Sequence, residues 1–250
     1  PIIVHPDVKR MLMQMRAMTA AARAICYATA VTLDISTRAK DARVRTEAAA
    51  RGALLTPIAK AFSTDIGNEV AYLGVQVHGG MGFIEETGAA QHYRDARITA
   101  IYEGTNGIQA IDLVTRKLGA NAGASVFKLL DELNDIARRV EASNDPAFGT
   151  TGAKLREALA SLDRSSRWLL ERLASAPNDA LAGATPYLRL FGSALGGCML
   201  ANEALAARSS GDAQRHVALA RFFAETFAVQ APSLEKTVTD AADSVMAADG

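Results

Sequence analysis

The sequence is 250 residues long, 49% hydrophobic and 22% charged, and its 27 basic and 27 acidic side chains cancel to a formal net charge of zero. That is a globular composition with length enough for a sizeable core, and its neutrality argues against a dedicated nucleic-acid binder, which needs clustered Lys and Arg. One residue in five is alanine and aromatics reach only 6%, so close-packed helices are expected over sheets and the fold class reads as all-α.

Neither half has a basic footprint: residues 1–119 carry 14 basic and 11 acidic groups, and residues 120–250 carry 13 and 16. Cys26 and Cys198 have no CxxC partner and read as two packed thiols in a reducing compartment. No stretch approaches the ~18 uninterrupted apolar residues of a membrane span, and no basic segment leads into an apolar one at the start, so a cytoplasmic setting is expected. The opening Pro1-Ile2-Ile3-Val4 reads as the interior of a longer polypeptide.

In chain order, His5-Pro6-Asp7 is a helix start, with proline in the first turn and an acid facing the positive end of the dipole. A 3.6-residue pattern then runs through Val8, Leu12, Met15 and the alanine-rich Thr19–Val31 to about Asp34. Arg38–Glu47 reads as a polar turn. A second long helix follows from Ala48 to Val77, with a kink expected at Pro57, and Gly79-Gly80-Met81-Gly82 ends it. Phe83–Ala100 is too short and polar for a long helix. A shorter helix is expected from near Thr105, turning Ile108, Ile111, Val114 and Leu118 inward until Gly119. Asn121-Ala122-Gly123-Ala124 reads as a linker. Four further helical patterns, at 126–140, 153–173, 186–207 and 213–229, are separated by short polar loops, as in an up-and-down bundle. The expected domains are therefore 1–119 and 120–250.

Two segments carry more glycines and polar groups than a helical bundle requires. They are Gln76-Val77-His78-Gly79-Gly80-Met81-Gly82-Phe83, and the run from Arg94 to Gln109 containing Arg94-Asp95-Ala96-Arg97-Ile98 and Ile101-Tyr102-Glu103-Gly104-Thr105-Asn106-Gly107-Ile108-Gln109. Glycine turns allow close backbone approach, and a helix N-terminus offers unpaired N–H groups to a ligand. Taken alone, the first is an ordinary helix end and the second an ordinary dipole partner. In this order the two segments closely resemble the C-terminal helical domain of the acyl-CoA dehydrogenase family, specifically over about residues 5–119. Residues 120–250 resemble, without a sharp motif, the extra C-terminal helical domain of its longer members. The family's N-terminal helical domain and central β-domain have no counterpart in the sequence.

The resemblance implies FAD-dependent α,β-dehydrogenation of an acyl-CoA thioester, with Glu103 as the base that removes the α proton while the β hydrogen leaves as hydride to the flavin. It implies that apolar surroundings and bound substrate make that carboxylate more basic, and that Tyr102 and Gly104 border the substrate. Thr105, Asn106 and Gly107 would lie beside the flavin dinucleotide, although position 107 lacks the longer amide side chain of many members. Gln76, Gly79 and Gly80 would contact FAD held mainly by a neighbouring subunit, so a homodimer or tetramer is implied, with electron-transferring flavoprotein as acceptor. By itself the chain is expected to be inactive or nearly so. Two alternatives stay open: a helical oligomerisation module, and a DNA-protection relative, which the balanced charge of residues 120–250 disfavours.

Other residues receive plainer readings. His78 and His92 lack ligand spacing, so no metal is expected. Met11, Met13, Met15 and Met18 fill core and helix surface, Trp168 anchors the second bundle, and Arg94, Asp95 and Arg97 form an ion-pair network. Ser165 and Ser166 lack a His and acid arrangement, and Gln91 is given no role.

Overall fold

The computed structural model describes residues 1–247, and every regular element among them is helical. The chain begins with the antiparallel pair α1 (Pro6–Arg38) and α2 (Ala42–His78). Pro6 sits in the first turn of α1, and Asp7 pairs with Arg10 at 2.8 Å. Small residues let the pair approach closely: Ala17, Ala21, Ala22 and Ala24 are buried on α1 with Met11, Met18 and Ile25. The expected polar turn is only three residues long, because Asp41 caps α2 by accepting from the Arg43 N–H at 2.7 Å. That cap starts the helix six residues before its apolar pattern does. Pro57 is buried inside α2, which runs unbroken past it.

Beyond Gly79, at φ +60°, come the single turn α3 (Gly80–Phe83) and then α4 (Ala89–Thr99), a regular 11-residue helix where the sequence promised little. Gly82 is fixed by packing, since a Cβ there would run into the Val75 carbonyl and lie 2.8 Å from the His78 Cβ. Next is α5 (Asn106–Asp112), which widens into a π-helical stretch over Leu113–Leu118. Only part of its expected inward face is correct. Val114 and Leu118 are buried with Ala110 and Leu113, whereas Ile108 and Ile111 are exposed. The wider π turn shifts the phase of the helix, so a 3.6-residue period carried through it assigns the wrong face.

The expected linker is a short 3₁₀ turn, Ala120–Gly123, with Asn121 and Ala122 in left-handed conformation. It leads to α6 (Ala124–Ala142), α7 (Thr151–Ser175), the short α8 (Pro177–Ala182), α9 (Ala184–Ala206), α10 (Ala213–Thr226), α11 (Ala231–Asp240) and α12 (Ala242–Met246). The central element is α9, which packs against α1, α2, α5, α6, α7, α10 and α11. By length and composition it is the one helix among the described residues apolar enough to cross a membrane, but most of it is buried within the fold.

Buried apolar residues from both halves of the chain form one contiguous cluster, from Ala17 to Val238. Across it Gly192 of α9 lies against the Phe62 ring of α2, and Gly196 faces Ala21 of α1 with room for a Cβ only 3.0 Å away. Arg189, one turn earlier on α9, stacks over Phe62 at 5.6 Å and pairs with Glu69 of α2 at 2.7 Å. Buried Tyr187 finds a partner in the Ser166 hydroxyl at 2.7 Å, while Trp168 packs against the cluster edge with Arg172 over its ring. The cysteines differ from expectation. Cys198 is buried, which pushes its thiol up to about 12, but Cys26 is exposed on the face of α1 beside the Ser63 hydroxyl. In an alanine-rich helix the periodicity marks faces too weakly to have told the two apart.

Two consequences are measurable. Gly192→Ala drives a methyl into the Phe62 ring, and such overpacking should cost about 1–3 kcal/mol, seen as a lower urea midpoint. A midpoint unchanged from the parent would show that α9 and α2 are not in tight contact. Secondly, Arg164 of α7 binds Glu235 of α11 through two bonds of 2.6 Å, which holds that carboxyl below its usual value of 4.5. A carboxyl depressed on folding contributes stability in full above its unfolded value, and the contribution is lost as pH falls through the folded one. Glu235→Gln should therefore lower stability by about 1 kcal/mol at neutral pH, Arg164 being half exposed. The deficit should shrink in urea titrations repeated at progressively lower pH below 4.5.

Candidate active site

The loop between α4 and α5 carries most of the residues singled out in the sequence. α4 closes on a tightened turn, with Ile101 and Tyr102 N–H groups both donating to the Ile98 carbonyl at 2.9 and 3.1 Å. Glu103 and Gly104 then adopt successive left-handed conformations, φ +54° and +83°. For glutamate this conformation is costly, and it persists only where the surroundings impose it. Thr105 caps α5, its hydroxyl accepting from the Ile108 N–H at 3.4 Å, and the Asn106 N–H returns to the Ala100 carbonyl at 3.1 Å.

The side chain of Asn106 fastens this loop to α2. Its amide N–H₂ donates to the Asp65 carboxylate at 2.6 Å and to the Ala61 carbonyl at 3.2 Å, and its amide oxygen accepts from Lys60 Nζ at 2.8 Å. The Thr64 hydroxyl lies within hydrogen-bond distance of the same amide. Lys60 Nζ also donates to the Gly104 carbonyl at 2.8 Å, and Gln109 Nε2 to the Glu103 carbonyl at 3.3 Å. Partial burial holds the Lys60 ammonium below its ordinary range, an effect opposed by the Asp65 charge. Glycine is favoured at 104 because its φ of +83° would strain any other residue.

Glu103 itself is exposed, and among the described residues its carboxylate has no hydrogen-bond or ion-pair partner. The apolar enclosure expected around it is not formed within this chain. Its apolar neighbours Ile101, Tyr102 and Ile108 are themselves exposed, and so are Ile98, Met81 and Phe83, the last at 82%. Thr105, Asn106 and Gly107 line an open groove of about 680 Å³ between α2, α4 and α5, whose other walls include Glu69, Tyr72, Tyr93 and Arg97. Tyr72 and Tyr93 meet edge to face at 6.2 Å. Gln76, Gly79 and Gly80 lie outside this groove, exposed at the end of α2, and Gly79 and Gly80 have open space where a side chain would stand. The structure thus brings Tyr102 to Gly107 together on the loop and the start of α5, and leaves Gln76, Gly79 and Gly80 outside the groove, at the end of α2.

Sequence reasoning missed Lys60, Thr64, Asp65 and Gln109. The signal was a lysine inside the apolar run from Ile58 to Phe62, with Thr64 one turn later on the same face. Of the ion-pair network expected of Arg94, Asp95 and Arg97, the described residues show one pair, Arg94 with Glu85 at 2.8 Å, while Arg97 lines the groove. The His78 ring bonds the Gly74 carbonyl at 2.7 Å, and no group of three metal-ligating side chains occurs among the described residues.

Comparison with known proteins identifies the family. Residues 1–119 match the family described as acyl-CoA dehydrogenase, C-terminal domain, and residues 129–249 match acetyl-CoA dehydrogenase C-terminal like. The chain is 42% identical to 3-methylmercaptopropionyl-CoA dehydrogenase of Ruegeria pomeroyi, over 99% of its own length and 43% of that protein. It is 27% identical to the broad-specificity linear acyl-CoA dehydrogenase FadE5 of Mycobacterium tuberculosis, over 98% and 43%. A Bacillus anthracis acyl-CoA dehydrogenase solved with FAD superposes on the whole chain and 44% of its own, with a TM-score of 0.76 at 19% identity. Caenorhabditis elegans ACDH-11, solved with C11-CoA, superposes on 90% of the chain and 37% of its own, with a TM-score of 0.73 at 20% identity. The chain spans less than half the length of these relatives. It belongs to the acyl-CoA dehydrogenase family and corresponds to the C-terminal region of that family.

Proposed function

We propose that the chain is the C-terminal part of an FAD-dependent acyl-CoA dehydrogenase and that Glu103 removes the α proton of an acyl-CoA thioester. The observation that carries this reading is the Glu103–Gly104 pair. A non-glycine residue is held left-handed by bonds to both carbonyls of the pair while its own carboxylate is left without a partner. Asn121, Ala122 and Asn144 are also left-handed. At Glu103, however, the strained backbone is anchored by side chains from two helices beside a carboxylate without a partner among the described residues, an arrangement that fits a functional group being aimed.

The chemistry follows from the environment. A carboxylate in water is a weak base toward a carbon acid, and removing water from around it raises its basicity. The exposed Ile98, Ile101, Tyr102 and Ile108 supply an apolar rim that a thioester and a covering segment would bury with it. The Glu103 N–H has no acceptor among the described residues, so it is available to a developing enolate oxygen, where a fixed donor counts most. The flavin, when bound, accepts the β hydrogen as hydride. Thr105 and Gly107 at the start of α5, on the open groove, fit the ribose and phosphate oxygens of a dinucleotide. The Asn106 side chain is committed to α2, so its part there is to hold the loop.

The same reading assigns Gln76, Gly79 and Gly80, exposed at the end of α2, to the flavin of a neighbouring subunit in a homodimer or tetramer. Electron-transferring flavoprotein is the acceptor. Residues 1–119 carry the site and residues 120–250 form a second helical domain that buttresses it. The full-length relatives carry as much sequence again outside the matched region, and the chain alone is therefore inactive.

The test is anaerobic titration of the complete flavin-containing polypeptide with acyl-CoAs, including 3-methylmercaptopropionyl-CoA and butyryl-CoA. At least one should bleach the flavin absorbance, and Glu103→Gln should slow bleaching by about 10²–10⁴-fold, the usual worth of a general base. Flavin that no acyl-CoA bleaches, or bleaching indifferent to Glu103→Gln, would sink the assignment.

A further inference from the structure

We infer that Lys60 is the positioning residue for Glu103: from α2 its ammonium grips the Gly104 carbonyl and the Asn106 amide oxygen at once, and so sets the left-handed pair that presents the carboxylate. This rests on the reading of Glu103 as the base.

An ordinary lysine on a helix keeps its ammonium in water or on a carboxylate. Lys60 does neither. It is partly buried, pairs with no carboxylate within ion-pair distance among the described residues, and spends two of its three donors on neutral oxygens of one loop. Asp65, the acid nearest to it in sequence on α2, is bonded to the opposite side of the same Asn106 amide. Lys60, Asn106 and Asp65 thus form a donor–acceptor chain in which each member fixes the next.

The direction of these bonds has a geometric result. With no cis peptides in the described chain, each carbonyl points opposite to the N–H of the following residue. The Glu103 carbonyl faces Gln109 and the Gly104 carbonyl faces Lys60, so the Gly104 and Thr105 N–H groups are aimed the other way, and neither has an acceptor among the described residues. Holding the two carbonyls therefore also orients the two N–H groups that follow Glu103 in the chain. Gln109 contributes a longer bond from a neutral amide, whereas Lys60 contributes the shorter, charged one.

The first test needs no catalysis. In the chain itself, Lys60→Met should accelerate hydrogen exchange of the Asn106 and Gln109 amides, which bond Ala100 and Thr105, by at least about tenfold. Exchange in α9 and the urea midpoint serve as controls for global unfolding, and Lys60→Arg, which keeps a charged donor, should recover much of the protection. Loop exchange equal to the parent in Lys60→Met, with the controls unmoved, overturns the clamp. The second test uses the complete flavin-containing enzyme. Lys60→Met should lower kcat about tenfold or more while KM for the acyl-CoA changes less than twofold, with partial rescue by Lys60→Arg. An unchanged kcat overturns the positioning role. If loop exchange rises but Glu103→Gln leaves flavin bleaching untouched, the clamp stands and the reading of Glu103 has failed, so the two ideas fail separately.

Discussion

The hydrogen bonds between the Asn106 side chain and one turn of α2 are what the candidate site depends on. Without them the loop from Ala100 to Thr105 would be a surface connection joining two helices, free to relax Glu103 out of a conformation that glutamate disfavours. With them, the loop is referred to the most firmly packed part of the first half of the chain. Lys60 and Thr64 lie on one side of α2 and Asp65 flanks the opposite face, where Ile58, Phe62 and Ile66 are buried in the core. A displacement of the loop therefore means a displacement of that core, and placing a reactive group on rigid helices is how small errors in aim are avoided.

That argument passes the burden to α2, and from there to α9. The Phe62 ring is enclosed by Gly192 and covered by the Arg189 guanidinium, whose carboxylate partner Glu69 also lines the groove. One side chain of the second half thus touches both the core beneath the loop and the wall of the groove above it. The two halves also differ in what they show to solvent. Among the described residues, nearly all the large exposed apolar side chains fall between Ile2 and Ile111, and the second half adds Val245 and Met246.

Much of this was legible in sequence because helices announce themselves through caps and periodicity. Pro6 and Asp7, the glycines at 79–82 and the polar loops of the second half located the helices and their ends. What escaped did so for identifiable reasons. Asp41 starts α2 through a cap that precedes any apolar pattern, and the π turn after Asp112 rotates Ile108 and Ile111 outward, which no fixed period anticipates. Cys26 was misplaced because alanine packs on either side of a helix. At the site, the motif from Tyr102 to Gly107 was readable from resemblance. Its anchors were not, because Lys60 and Asn106 are 46 residues apart and meet only through the tertiary fold.

Glu103 combines a backbone held in one left-handed conformation with a carboxylate exposed to water. Fixing the backbone orients the carboxylate. Basicity comes from removing that water, and the apolar side chains that would replace it, Ile98, Ile101, Tyr102 and Ile108, are already grouped around the loop with nothing yet lying over them. In this arrangement aim and reactivity have different origins. On the proposed reading, aim is built into the chain through α2, and reactivity would arise when substrate and a covering surface close over the rim. A carboxylate made basic by permanent burial would carry a desolvation penalty in every unliganded molecule. On that reading, separating the two would confine that penalty to the complex in which the proton is to be moved.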